Sequence, residues 1–217
     1  MFLLPDSSSA SADSELLPVC QLAEKQSEEN EDSHTVMCVN SEIVPDDKNW
    51  TWVLEKPCTD CGFDASRFVA TGSGAALRDQ AARWVAVLGQ DNVNVRPRPT
   101  IWSPLEYACH VRDVFRKFDE RLALMLNEVD PAFENWDQDA TAIEDRYDLQ
   151  DAAVVSAELQ EAGLTLAERF DSVVGEQWKR RGYRSDGSAF TVESIAQYLL
   201  HDPVHHLWDV GAEVPTY

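Results

Sequence analysis

The chain has 217 residues, enough for one domain with a core of its own plus appended sequence, and 44% of them are hydrophobic. Its 18 basic residues face 39 acidic ones, a net charge of −21 that repels phosphate backbones and anionic lipid, so nucleic-acid and membrane partners are not expected. The 5 cysteines are odd in number and scattered, which describes no disulfide framework and fits a reducing compartment.

In chain order, Met1-Phe2-Leu3-Leu4 is cut short by Pro5 and has no basic start, so it does not read as a secretory signal. No apolar run approaches the roughly 20 residues of a membrane span, and a cytoplasmic protein is the expectation. Residues 1–48 hold 11 acidic and 2 basic residues, with no Trp or Tyr and no periodicity. Such a segment buries too little apolar surface to offset its ordering entropy and is expected to be a disordered acidic tail. The folded domain is expected over residues 49–217.

A short extended piece, Trp50 to Leu54, leads into Cys58-Thr59-Asp60-Cys61-Gly62. Apolar spacing then predicts a first helix over Asp64 to Leu88, closed off by Arg96-Pro97-Arg98-Pro99. Ser103-Pro104-Leu105-Glu106 marks the start of a second helix: an N-cap Ser, Pro at the first helical position and Glu at the third. Its stripe runs through Leu105, Ala108, Val111, Phe115, Phe118 and Leu122. A long polar connection, Asn127 to Gln150, precedes a third helix over about Asp151 to Val174. The Gly- and Arg-rich stretch from Arg180 to Phe190 reads as a short hairpin. A fourth helix opens at Thr191 and runs through Ile195, Leu199 and Leu207. Four amphipathic helices bury their stripes best as an all-α four-helix bundle.

The chemistry concentrates in the last helix. Of 5 histidines, 3 lie in His201-Asp202-Pro203-Val204-His205-His206. His201 and His205, four apart, share a helix face and can chelate one ion. His206 is turned about 100° away from His205 and is expected to point elsewhere, at most supporting the site from beside it. A third donor must come from another helix, and His110 is the candidate imidazole in a helical context. Three imidazoles without an obligatory fourth ligand describe an open divalent site, for which zinc, nickel, iron or manganese all fit. Pro203 removes a helical hydrogen bond between the two proposed ligands. Asp113 and Asp209, each about a turn beyond a histidine, are candidates to orient imidazole N–H groups. Asp137 and Glu144 are candidate acid–base groups, and Trp102, Trp136 and Trp208 candidate pocket walls. The Cys58/Cys61 pair has the shape of half a zinc knuckle, but without a second CxxC it reads as a turn with two free thiols.

Three segments in order carry a resemblance: Trp102 to Asp113, Asn135-Trp136-Asp137-Gln138-Asp139, and Tyr198 to His206. Together they resemble the DinB-like (YfiT-like) superfamily, particularly its actinobacterial proteins, over roughly Trp50 to Val210. The resemblance implies an up-down-down-up four-helix bundle with a three-histidine divalent site, which falls on His110, His201 and His205, with zinc or nickel foremost. It also implies a metal-dependent enzyme acting on a small molecule. Some relatives use low-molecular-weight thiols, as in mycothiol-dependent maleylpyruvate isomerase and bacillithiol S-transferases. The alternative is a non-catalytic metal- or ligand-binding bundle, and such bundles often pair as homodimers.

Overall fold

The computed structural model describes residues 43–44 and 48–217. Nearly all of the acidic segment read as a tail, with Cys20, His34 and Cys38, lies outside these residues. Four long helices carry the fold: α1 (Ser73–Leu88), α2 (Pro104–Asn127), α4 (Ala152–Asp171) and α5 (Val192–Asp209). A short helix, α3 (Gln138–Glu144), interrupts the long connection between α2 and α4.

The fold is not purely helical. The predicted hairpin forms as β2 (Arg181–Arg184) and β3 (Ala189–Thr191), antiparallel to each other. A two-residue strand, β1 (Ala132–Phe133), joins β2 in parallel and completes a three-stranded sheet. A strand that short carries no periodicity, so it left no mark in the sequence. Arg180, just before β2, donates its Nε–H to the Met125 carbonyl at 2.5 Å and its Nη2–H to the Glu128 carbonyl. The last turn of α2 has no basic residue of its own, and this guanidinium serves carbonyls at the helix end from outside.

The start of α2 forms as its sequence specifies. Ser103 Oγ accepts from Glu106 N, Glu106 returns the bond to Ser103 N at 2.8 Å, and Pro104 opens the helix. Glu106 also pairs with Arg96, which ties the preceding loop to the helix start. Helix α4 packs against both α1 and α2, and Gly163 sets how closely. A Cβ there would lie 3.0 Å from Ala81 Cβ and 3.1 Å from the Phe115 ring. Glycine inside a helix costs about 1 kcal/mol, and here its missing side chain lets three helices meet.

The first helix is shorter than its sequence suggested. Residues 64–72 form turns and a 3-10 segment, Ala70–Gly72, before α1 begins at Ser73. Phe63, Ala65 and Phe68 therefore pack as loop residues, in a second apolar cluster with Cys58, Cys61, Leu200 and Val204. Gln197 Nε2 donates to the Ala65 carbonyl at 3.0 Å, pinning this loop to α5. Helix α5 continues through Pro203, whose carbonyl accepts from Trp84 Nε1 at 3.2 Å. Among the described residues no helix is long and apolar enough to cross a membrane.

Candidate metal centres

Helix α5 offers two pairs of donors at i, i+4 spacing: His201 with His205, and Asp202 with His206. Each step along a helix turns the side chain by about 100°, so the two pairs look out from adjacent faces. The structure gives each face its own partner.

The first face meets the CxxC loop. Cys58, Cys61, His201 and His205 are all buried, and one donor atom from each lies within 4.8 Å of the others. Cys58 Sγ is 3.5 Å from His205 Nδ1. The loop is a tight knuckle: Cys58 N donates to the Phe63 carbonyl at 2.8 Å, and Gly62 N to the Cys58 carbonyl at 3.0 Å. Gly62 sits at φ +76°, a left-handed conformation that favours glycine. Trp50 covers both imidazoles, its ring 5.3 Å from His201 and 5.0 Å from His205. Burial pushes the Cys61 thiol up to about 12. Burial, reinforced by His205 alongside, lowers His201 to about 4, and burial lowers His205 as well. These imidazoles are neutral at physiological pH, the form that binds metal. His201 Nε2 is buried without a hydrogen-bond partner, an atom that a metal would satisfy.

The second face meets α2. His110, Asp202 and His206 bring their donor atoms within 4.8 Å of one another. His110 Nε2 lies 3.4 Å from Asp202, and His206 Nε2 lies 3.8 Å from Asp202 Oδ1. His206 Nδ1 is 2.7 Å from Asp209 Oδ2. Asp209 only accepts, so His206 Nδ1 carries a proton, and Nε2 faces Asp202 as the atom that would meet a metal. His110 is held between Trp136, stacked at 5.4 Å with 2° between the planes, and Trp102 at 5.6 Å. Burial opposes the charge of Asp202, but His110 and His206 outweigh it and bring its pKa down to about 2. The side chains grade outward from His110 at 1% exposed through His206 at 17% to Asp202 at 30%.

Two cavities reach this cluster. One of about 250 Å³ is bordered by Tyr107, Asp202, His206 and Asp209, and also by His201 and His205. The other, about 440 Å³, shares Asp202 and extends to Arg121, Trp136, Asp137 and Arg184. Both arginines are buried, and the Nε of each lacks a hydrogen-bond partner. Burial, with Arg184 nearby, lowers Arg121 to about 10.

The triad read from the sequence is thus divided. His110 does not share a cluster with His201 and His205; it meets Asp202 and His206, one residue further along α5. The spacing was right, but the rotation of α5 about its axis was not readable from it. His206 is accordingly a candidate donor rather than a flanking group, and Asp209 orients it rather than His205. Asp113 does not orient His110: it pairs with Arg112 and Arg116 and accepts the Tyr147 hydroxyl at 2.6 Å. Asp137 caps α3 through Ala140 N and lines the larger cavity, whereas Glu144 is exposed at the end of α3. Trp102 and Trp136 do wall His110, while Trp208 lies beside His205 and is nearly half exposed. Sequence reasoning passed over Asp202, and it separated the CxxC from the histidines it meets. The signal for both was the second i, i+4 pair, which gives every donor in the His201–His206 segment a place.

The donor sets suit metal at both faces: sulfur and nitrogen at the first, nitrogen and a carboxylate at the second. No curated protein matches the chain. A solved structure of YfiT from Bacillus subtilis, described as a probable metal-dependent hydrolase with an unusual four-helix bundle topology, shares the fold. The match has a TM-score of 0.59 at 20% identity and covers 66% of this chain and 89% of that one. The sequence profile of the DinB superfamily matches residues 75–210, which include His110, Asp202 and His206 but neither Cys58 nor Cys61. The chain belongs to the DinB superfamily.

Proposed function

We propose that the protein is a divalent-metal-dependent enzyme of hydrolytic or thiol-transfer type, with His110, Asp202 and His206 as its metal donors. The observation that carries this reading is an incomplete donor set beside two cavities: three donors converge, and Asp202 borders both spaces. Protein donors in threes leave coordination positions for reactants, whereas structural sites close with four. The description of YfiT as a probable metal-dependent hydrolase supports the same class.

A divalent ion held by His110, Asp202 and His206 would supply Lewis acidity that lowers the pKa of a water or thiol. The chain's own residues prepare that chemistry. Asp209 fixes the His206 tautomer, and Trp102 and Trp136 hold the His110 ring and keep bulk water from it. Arg121 and Arg184 place two buried positive charges in the larger cavity of a strongly acidic protein. Asp186 pairs with Arg184, while Arg121 donates to the Glu134 carbonyl. An anionic group on the substrate, such as a carboxylate, is the natural complement to this pair.

The test is a screen of the zinc- or nickel-loaded protein against carboxylate-bearing esters and amides, and against electrophiles with and without added low-molecular-weight thiols. Turnover without thiol assigns hydrolysis, and turnover that requires thiol assigns transfer. In either case Asp202→Asn should reduce it at least 100-fold. An ion bound by these donors with no turnover in any arm would overturn the enzymatic reading in favour of a metal- or ligand-binding bundle.

A further inference from the structure

We propose that Cys58, Cys61, His201 and His205 form a second, closed zinc site that fastens residues 50–72 to α5. The inference does not depend on the enzymatic reading of the other cluster. Four donors from two separate parts of the chain, two sulfurs and two imidazole nitrogens, complete a zinc shell with no position left over. A CxxC knuckle with glycine after its second cysteine presents both sulfurs from one turn, and the i, i+4 histidines present both nitrogens from one helix face.

The surroundings match a structural role. All four side chains are buried, and the CxxC loop sits in its own apolar cluster with Phe63, Phe68, Leu200 and Val204. Neither cysteine borders either cavity, so no substrate reaches the sulfurs by those routes. A dithiol redox pair is the rival use of a CxxC. It would leave two buried imidazoles against the thiols without a role, whereas zinc uses all four groups and displaces the two thiol protons. Segment 50–72 holds few hydrogen bonds to the helices, Gln197 to Ala65 and Phe68 among them, and zinc adds the strong link. Because the same turn of α5 carries donors for both clusters, this site also holds the helix at the rotation that turns Asp202 and His206 towards His110.

Cobalt substitution isolates the proposal, because thiolate-to-cobalt charge-transfer absorption needs sulfur donors and the His110 cluster has none. The cobalt-loaded 217-residue chain should show that near-ultraviolet band with the intense visible bands of four-coordinate cobalt. Cys58→Ser should abolish the thiolate pattern and remove one ion per chain, while His206→Ala should leave the band intact. Should Cys58→Ser fail to fold, the wild-type chain still decides: titration with an organomercurial should release zinc in step with thiol modification. Absence of the thiolate band in cobalt-loaded wild type, equal thiol reactivity with and without zinc, or recovery of Cys58 and Cys61 as a disulfide would each overturn the proposal.

Discussion

One turn of α5 faces two environments, and the contrast between them separates holding from reacting. On the His201/His205 face the donors are four, buried, rich in sulfur and set in apolar packing. On the Asp202/His206 face they are three, mixed nitrogen and oxygen, and Asp202 borders both cavities, of which only the smaller also reaches His201 and His205. The first arrangement satisfies a metal completely, and the second leaves it coordination space. A rotation of about 100° along one helix is enough to pass from one chemistry to the other.

The largest expected effect comes from breaking the closed side. Cys61→Ser should lose an ion and destabilise the protein by on the order of 3 kcal/mol or more, since it leaves buried donors unsatisfied. For a domain of this size that is a fall in Tm of about 6–12 °C, readable by calorimetry of the zinc-loaded protein. A fall of similar size in metal-free protein would show that packing, not metal, is lost. His206→Ala on the open side should instead abolish turnover and the second ion while lowering Tm by only a few degrees. Asp209→Asn is a finer probe of the same face. It replaces the acceptor that fixes the His206 tautomer, and metal affinity there should weaken by about 10–100-fold, measured by competition with a chelator. The thiolate band of the closed site should not respond.

Local devices were legible in the sequence, but the contrast between the two faces was not: Asp202 was passed over and the CxxC read as two free thiols. The start of α2 could be read from Ser103, Pro104 and Glu106 because a capping box is a local device. The HxxxH pair was legible for the same reason. What could not be read was which face of α5 meets which partner. Leu199, Leu200, Val204 and Leu207 are buried together with His201 and His205, so apolar residues point in several directions and no single stripe fixes the rotation. The helical spacing after Asp64 misled because the knuckle and the turns after it place Phe63 and Phe68 in an apolar cluster without a helix. Helix α3 left little apolar signal: Ala142 is its one buried residue, and its start depends on the Asp137 cap.

A smaller effect distinguishes the frame from both metal sites. Burial raises the pKa of Glu106 and of Asp113, but their partners outweigh it and hold both below the ordinary carboxylate range. Those partners are Arg96 and Ser103 for Glu106, and Arg112 and Tyr147 for Asp113. For groups depressed in the folded state, the stability they add is present above the unfolded carboxylate pKa of about 4 and is lost as pH falls through the folded values. Acid unfolding of metal-free protein should therefore steepen below about pH 4. Glu106→Gln should flatten that slope and cost about 1 kcal/mol near neutrality, from the weakened cap and ion pair. A slope unchanged by this substitution would place the acid sensitivity elsewhere.

Anomalous-difference crystallography of the zinc-reconstituted protein tests the division of α5 most directly. The expected result is two peaks per chain, one enclosed by Cys58, Cys61, His201 and His205 and the other held by His110, Asp202 and His206. A single peak shared by His110, His201 and His205, with the cysteines turned away, would contradict it.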